Sequence, residues 1–272
     1  MAENILLIPT DFSEVTLKAV DYGATIAKVI NYKVTLAHIL TKDSISKLKK
    51  ENIGEEGAEM KLKNLASEIA NKYQIEVNTI IKKGSLFSSL SDTVKELNAG
   101  LLLFGTPGKS TNLFNFFTGA DAFKLVSKTQ CPNIVIQKGV SYSGEMKNII
   151  FPVSTTTKVG PKIVWARHFA KAFKAKVHIF KLYEPSAAAQ IKMKTLINKF
   201  IKPDFEKNNI EFEEKEALKD GNFGEQLLKY SNSIKADLII IMNDPDPENY
   251  IQAYEESLIF NQYLIPVMCV TI

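Results

Sequence analysis

Residues 4–40 are echoed at 147–183 with a constant offset of 143: Pro9 falls on Pro152, Ala27–Lys28 on Ala170–Lys171, and Lys33–Val34 on Lys176–Val177. Later anchors follow, with Gly84 and Leu101–Leu103 answered by Gly221 and Leu238–Ile240, and Cys131–Pro132 by Ile265–Pro266. A repeat of roughly 130 to 140 residues is too long for a solenoid unit and has the size of a domain. The chain is therefore read as a duplicated domain, residues 1–139 and 146–272, joined by the short polar hinge Gly139–Gly144. At 272 residues, each copy is large enough to bury its own core.

Each copy alternates strand and helix patterns. Ile5–Ile8 is a short continuous apolar run, as a strand covered on both faces requires. Ser13 then supplies N-cap chemistry for a helix whose apolar residues, from Val15 to Ile30, recur at helical spacing. Lys33–Leu40, Glu76–Ile81, Leu101–Phe104 and Asn133–Ile136 read as further strands. Between them fall a helix over about 55–73, with Met60, Leu62, Leu65, Ile69 and Ala70 inward, one from Gly84 to about Leu97, and a short one over Ala120–Ser127. The second copy repeats the order: strands at Asn148–Pro152, Lys176–Leu182, Ile210–Lys215, Leu238–Met242 and Pro266–Ile272 alternate with helices, one of them near 187–207. Such alternation implies parallel pairing through right-handed crossovers. The predicted class is α/β: two tandem doubly wound domains, each a five-stranded, mainly parallel sheet flanked by helices, related by a pseudo-two-fold axis.

The two copies differ where this fold class places ligands, at the carboxyl ends of the strands. The first carries Asp11 after its opening strand and the loop Gly105-Thr-Pro-Gly108 after its fourth. The second has Ser154 and Asn243-Asp-Pro-Asp-Pro at these places, where three carboxylates (Asp244, Asp246, Glu248) crowd the loop and two prolines remove backbone donors. Its spacing lacks the glycine and terminal glutamate of a calcium loop, so a solvated turn is expected and no metal site. Gly108-Lys109-Ser110 is not a Walker A motif, because Leu103 stands where that motif needs glycine. His38, His168 and His178 keep no second histidine or cysteine at ligand spacing and are read as packing or surface residues; Trp165, Phe169 and Phe173 read as a core stripe.

Composition narrows the classes further. A net charge of +4, from 34 basic and 30 acidic residues scattered along the chain, argues against a nucleic-acid partner; Lys47, Lys49 and Lys50 are read as a solvated helix face. No apolar run reaches membrane-span length, Met1–Asn4 lacks a basic leader region, and both cysteines, Cys131 and Cys269, lie in apolar runs. Free buried thiols, no membrane partner and a cytoplasmic location are expected.

At these residues the chain resembles the universal stress protein family in its tandem form. Ile8-Pro9-Thr10-Asp11-Phe12-Ser13 is similar to the family's opening strand and turn, Leu36-Ala-His38-Ile39 to its second strand, Leu101–Ser110 to its phosphate-loop entry and Cys131-Pro132-Asn-Ile-Val135 to its closing strand. The resemblance implies a five-stranded α/β fold and association through the last strand, hence an intramolecular pseudo-dimer and a further homodimer as an open question. It also implies ATP or another adenine nucleotide as ligand in some branches. Carried onto this chain, the cofactor-binding positions are Pro9, Thr10, Asp11, Ile39, Gly105, Gly108, Lys109, Gly119 and Ala120. The chain departs from the ATP-binding pattern in two ways. Ten residues rather than nine separate Gly108 from Gly119, and Ala120 stands where a hydroxyl is usual. Asp121 adds a carboxylate where a helix start would attract phosphate. An adenine-nucleotide pocket in the first domain and a vestigial or differently used one both remain open. The expected function is non-enzymatic stress-response or regulatory work. The alternatives are a carrier or sensor of another small molecule and a slow nucleotide hydrolase.

Overall fold

The structure, a computed structural model, describes residues 2–50, 53–107, 125–126, 129–155, 159–243 and 257–271, without the side chain of Lys47. The chain divides into two compact units, Met1–Lys138 and Gly139–Ile272.

In the first unit, β1 (Glu3–Pro9), β2 (Lys33–Leu40), β3 (Val77–Lys83), β4 (Ala99–Thr106) and β5 (Asn133–Gln137) form a sheet in the order β3-β2-β1-β4-β5. Every neighbouring pair is parallel. The apolar runs become the central strands: Leu6, Leu7 and Ile8 of β1 and Leu101–Phe104 of β4 are fully buried, because helices cover both faces. Edge strand β3 is half-buried and ends in Lys82 and Lys83, charges that discourage pairing with another chain.

Helix α1 (Glu14–Ile30) starts at Ser13, whose hydroxyl accepts from the Thr16 amide, and ends at Asn31 in the left-handed region. Next come α2 (Lys42–Lys50), α3 (Glu55–Tyr73) and α4 (Leu86–Glu96). Lys49 and Lys50 lie exposed on α2 as expected. On α3, Leu62 and Ile69 are buried, but Met60 is 63% exposed. The inward stripe runs Ala58, Leu62, Ala66, Ile69. Met60, two residues from Ala58, points nearly opposite to it, and small alanines let the helix sit close to the sheet. Of the helix expected at Ala120–Ser127, only Leu125 and Val126 are described; both are helical and buried.

The second unit repeats the topology with β6 (Asn148–Val153), β7 (Lys176–Lys181), β8 (Phe212–Glu216), β9 (Leu238–Asn243) and β10 (Val267–Thr271), ordered β8-β7-β6-β9-β10 and parallel throughout. Helix α5 (Gly160–Phe173) carries the aromatic stripe: Phe169 is fully buried and stacks on Phe173, with Trp165 tilted against it. The single helix expected near 187–207 is three contiguous pieces: α6 (Ala187–Leu196), a π-helical turn (Ile197–Ile201) and α7 (Lys202–Lys207). Pro203 supplies no amide and its ring crowds the carbonyl one turn back, and the ladder widens there, with the Lys202 amide donating to Ile197 O. Helix α8 (Phe223–Ser233) precedes β9, capped by Asn222. Both cysteines are buried and neither is in a disulfide; burial pushes the Cys131 thiol up to about 12.

Candidate functional site

The strand order in the first unit reverses between β1 and β4: successive strands step outward through β2 and β3, then on the other side through β4 and β5. The crevice at the carboxyl ends of these two strands is the switch point where open α/β sheets take ligands. Five of the sequence-predicted positions come together around it. Pro9 and Thr10 are buried at the end of β1, Asp11 lies half-buried just beyond, Ile39 is buried near the end of neighbouring β2, and Gly105 is buried in β4. The register pairs Pro9 with Ala37 and Leu7 with Leu102, which brings Asp11 level with the loop leaving β4. Gly108, Lys109, Gly119 and Ala120 lie outside the described residues, as do Asp121 and the second-domain loop residues Asp244, Asp246 and Glu248.

The turn between β1 and α1 is held by side chains. Asp11 Oδ1 accepts from the Ser13 amide at 3.0 Å and from the Thr16 hydroxyl at 2.8 Å. Thr16 Oγ1 in turn accepts from the Asp11 amide and meets Thr10 Oγ1 at 3.1 Å. Phe12 takes a left-handed φ of 65°, and its ring packs on His38 at 4.8 Å. His38 is buried and donates Nδ1–H to Thr10 O at 2.8 Å, tying β2 to the turn. Asp11 thus helps fasten the turn through one oxygen, while Oδ2 makes no hydrogen bond among the described residues.

Gly105 has a structural reason of its own. A Cβ there would meet Val15 O at 2.8 Å and the Ala19 Cβ at 3.2 Å, so α1 can lie on β4 only if this residue has no side chain.

In the second unit the corresponding turn follows Val153, with Ser154 buried where Asp11 is half-exposed. Here the structure holds a residue that was not singled out in sequence. Lys162 on α5 is 2% exposed; its ammonium lies 4.3 Å from the centre of the Phe151 ring and donates to Pro152 O. Burial pushes its pKa down to about 7. At the same offset of 143 it stands opposite Ala19 of the first unit. A signal existed: position 162 falls on the inward face shared by Ile163, Ala166 and Phe169.

The family model of the universal stress protein family matches residues 3–137. The chain belongs to the universal stress protein family through its first domain. Solved structures extend the fold over both halves. A universal stress protein from Archaeoglobus fulgidus DSM 4304 superposes with a TM-score of 0.77 at 15% identity, covering 100% of this chain and 99% of that one. A second protein given the universal stress protein designation, from Pseudomonas aeruginosa UCBPP-PA14, gives 0.66 at 15% identity, covering 99% and 94%. A functionally unknown protein from Pseudomonas aeruginosa PAO1 gives 0.61 at 14%, covering 99% and 93%. At these identities the likeness is one of fold. No curated protein matches the chain. Among the described residues, no helix of this universal stress protein is long and apolar enough to cross a membrane.

Proposed function

We propose that this universal stress protein is a non-enzymatic regulator whose first domain takes up an adenine nucleotide at the β1/β4 switch point. The observation that supports this reading most is the convergence of Asp11, Ile39 and Gly105 on one crevice, with Asp11 Oδ2 left over from the turn network. In this reading Asp11 accepts from the adenine or ribose and the Ile39 backbone meets the base. The glycine-bearing loop Gly105–Gly119 lets amides approach the phosphates. Lys109, next to Gly108 in sequence, is the proposed source of positive charge.

The second domain lacks this equipment, since Ser154 replaces the acidic residue. A role without turnover follows from what phosphoryl transfer needs: in-line positioning, charge neutralisation and an oriented nucleophile. The chain's single arginine, Arg167, lies in the second domain, and its guanidinium is already paired with Asp204 at 2.5 Å. The test is the nucleotide content of protein purified without additives, denatured and resolved by mass spectrometry. Adenine nucleotide approaching one per chain supports the reading. No released nucleotide, together with no binding of added ATP at millimolar concentration, would reject it.

A further inference from the structure

The second unit contains a recess of about 360 Å³ that has no part in the nucleotide reading. It opens beyond the ends of β7 and β8, walled by α6, the π-helical turn and α7. In the first unit the comparable corner beyond β2 is filled by Leu40, Leu48 and Ala58, with Ile45, Ile53 and Ile81 packed on them. The second unit lines it with charges instead. Lys181 and Lys202 both pair with Glu214, the first at 3.1 Å, and form a half-buried floor. Around this floor stand groups with spare capacity. Lys194, exposed on α6, makes no ion pair among the described residues. Glu216 has only a 3.8 Å contact with Lys181. Between them, Met193 and Ile197 are buried and apolar. The π-helical turn contributes Ile197 and Asn198 to the wall; such turns occur disproportionately at functional sites.

From this we infer that the recess binds a small zwitterion of the free α-amino-acid class, with Lys194 taking its carboxylate and Glu216 its ammonium. The charge balance selects this class. The six ionisable residues of the lining are three lysines and three glutamates, so a ligand of one sign meets repulsion from half of them. An internally neutral ligand with both signs meets complementary partners at each end. The short apolar wall suits an aliphatic or amide side chain. A volume of about 360 Å³ lies at the small end of ligand pockets and is ample for a free amino acid.

The experiment titrates the full chain calorimetrically with each of the twenty free amino acids, then with the deaminated and decarboxylated analogues of the tightest binder. Expected is saturable binding of at least one amino acid, with each analogue weaker by about tenfold or more, the loss of one charge-assisted contact. Lys194→Ala and Glu216→Gln should each weaken it comparably while leaving ATP binding unchanged. No binding by any amino acid at 10 mM, analogues that bind as well as the parent, or variants without effect would each overturn the assignment.

Discussion

Replacing Lys162 by methionine should stabilise the second domain at neutral pH, and the gain should disappear as the pH rises. In the folded chain this ammonium is desolvated, with one hydrogen-bond acceptor, Pro152 O, and the face of Phe151. Burial lowers its pKa from 10.5 to about 7. A lysine with a depressed folded pKa binds fewer protons folded than unfolded between pH 7 and 10.5, so stability rises with pH across that window. The gap corresponds to a penalty at pH 7 of about 4 kcal/mol. Methionine removes that penalty but also the contact to Pro152 O and the cation–ring attraction, together about 2 kcal/mol. The expected net gain is therefore about 2 kcal/mol at pH 7. It should shrink by up to about 1.4 kcal/mol per pH unit above pH 7. Urea unfolding at pH 7, 8 and 9, followed by fluorescence of Trp165, reads this out. The single tryptophan lies on the same helix, so the signal reports on the second unit. A variant less stable than wild type at pH 7, by an amount independent of pH, would refute the argument: the ammonium would then be charged and net favourable where it lies.

Gly105→Ala should cost about 1–3 kcal/mol through overpacking of α1 against β4, read as a lowered Tm; an unchanged Tm would mean that α1 yields freely. Glu213, held down to about 2 by hydrogen bonds from Lys176 and Tyr230, contributes stability that is complete above its ordinary value of 4.5 and lost as pH falls towards 2. Glu213→Gln should therefore unfold less steeply with acid over that range, and identical acid profiles would remove its role. Hydrolysis of ATP with magnesium by repurified protein should run orders of magnitude below the ~1–100 s⁻¹ of kinases; activity in that range, abolished by Asp11→Ala, would overturn the non-enzymatic reading.

The fold was legible because its signals are local. Ile5–Ile8 and Leu101–Phe104 are apolar on every residue, which only a strand covered on both faces tolerates, and both are fully buried centres of the sheet. Ser13 caps α1 as its residue type and position imply. What was not legible depends on neighbours remote in sequence. Gly105 was read for a ligand, yet its nearest constraint is the backbone of Val15. Met60 was placed inward on hydrophobicity, but the alanines Ala58 and Ala66 define the packed face. Lys162 sits on an inward stripe, and a lysine there is usually assumed to reach solvent along its stem; here it is covered. The recess joins residues from 181 to 216, and its charge balance exists only once β7, β8 and the π-helical turn are brought together.

The most direct test of the central claim is a calorimetric titration of ATP into the full chain, wild type against Asp11→Ala and Ser154→Ala. The account predicts one site per chain, affinity reduced about tenfold or more by Asp11→Ala, as for loss of a hydrogen bond to a charged group, and no change with Ser154→Ala. Two equivalent sites, or binding that survives Asp11→Ala and weakens with Ser154→Ala, would contradict it.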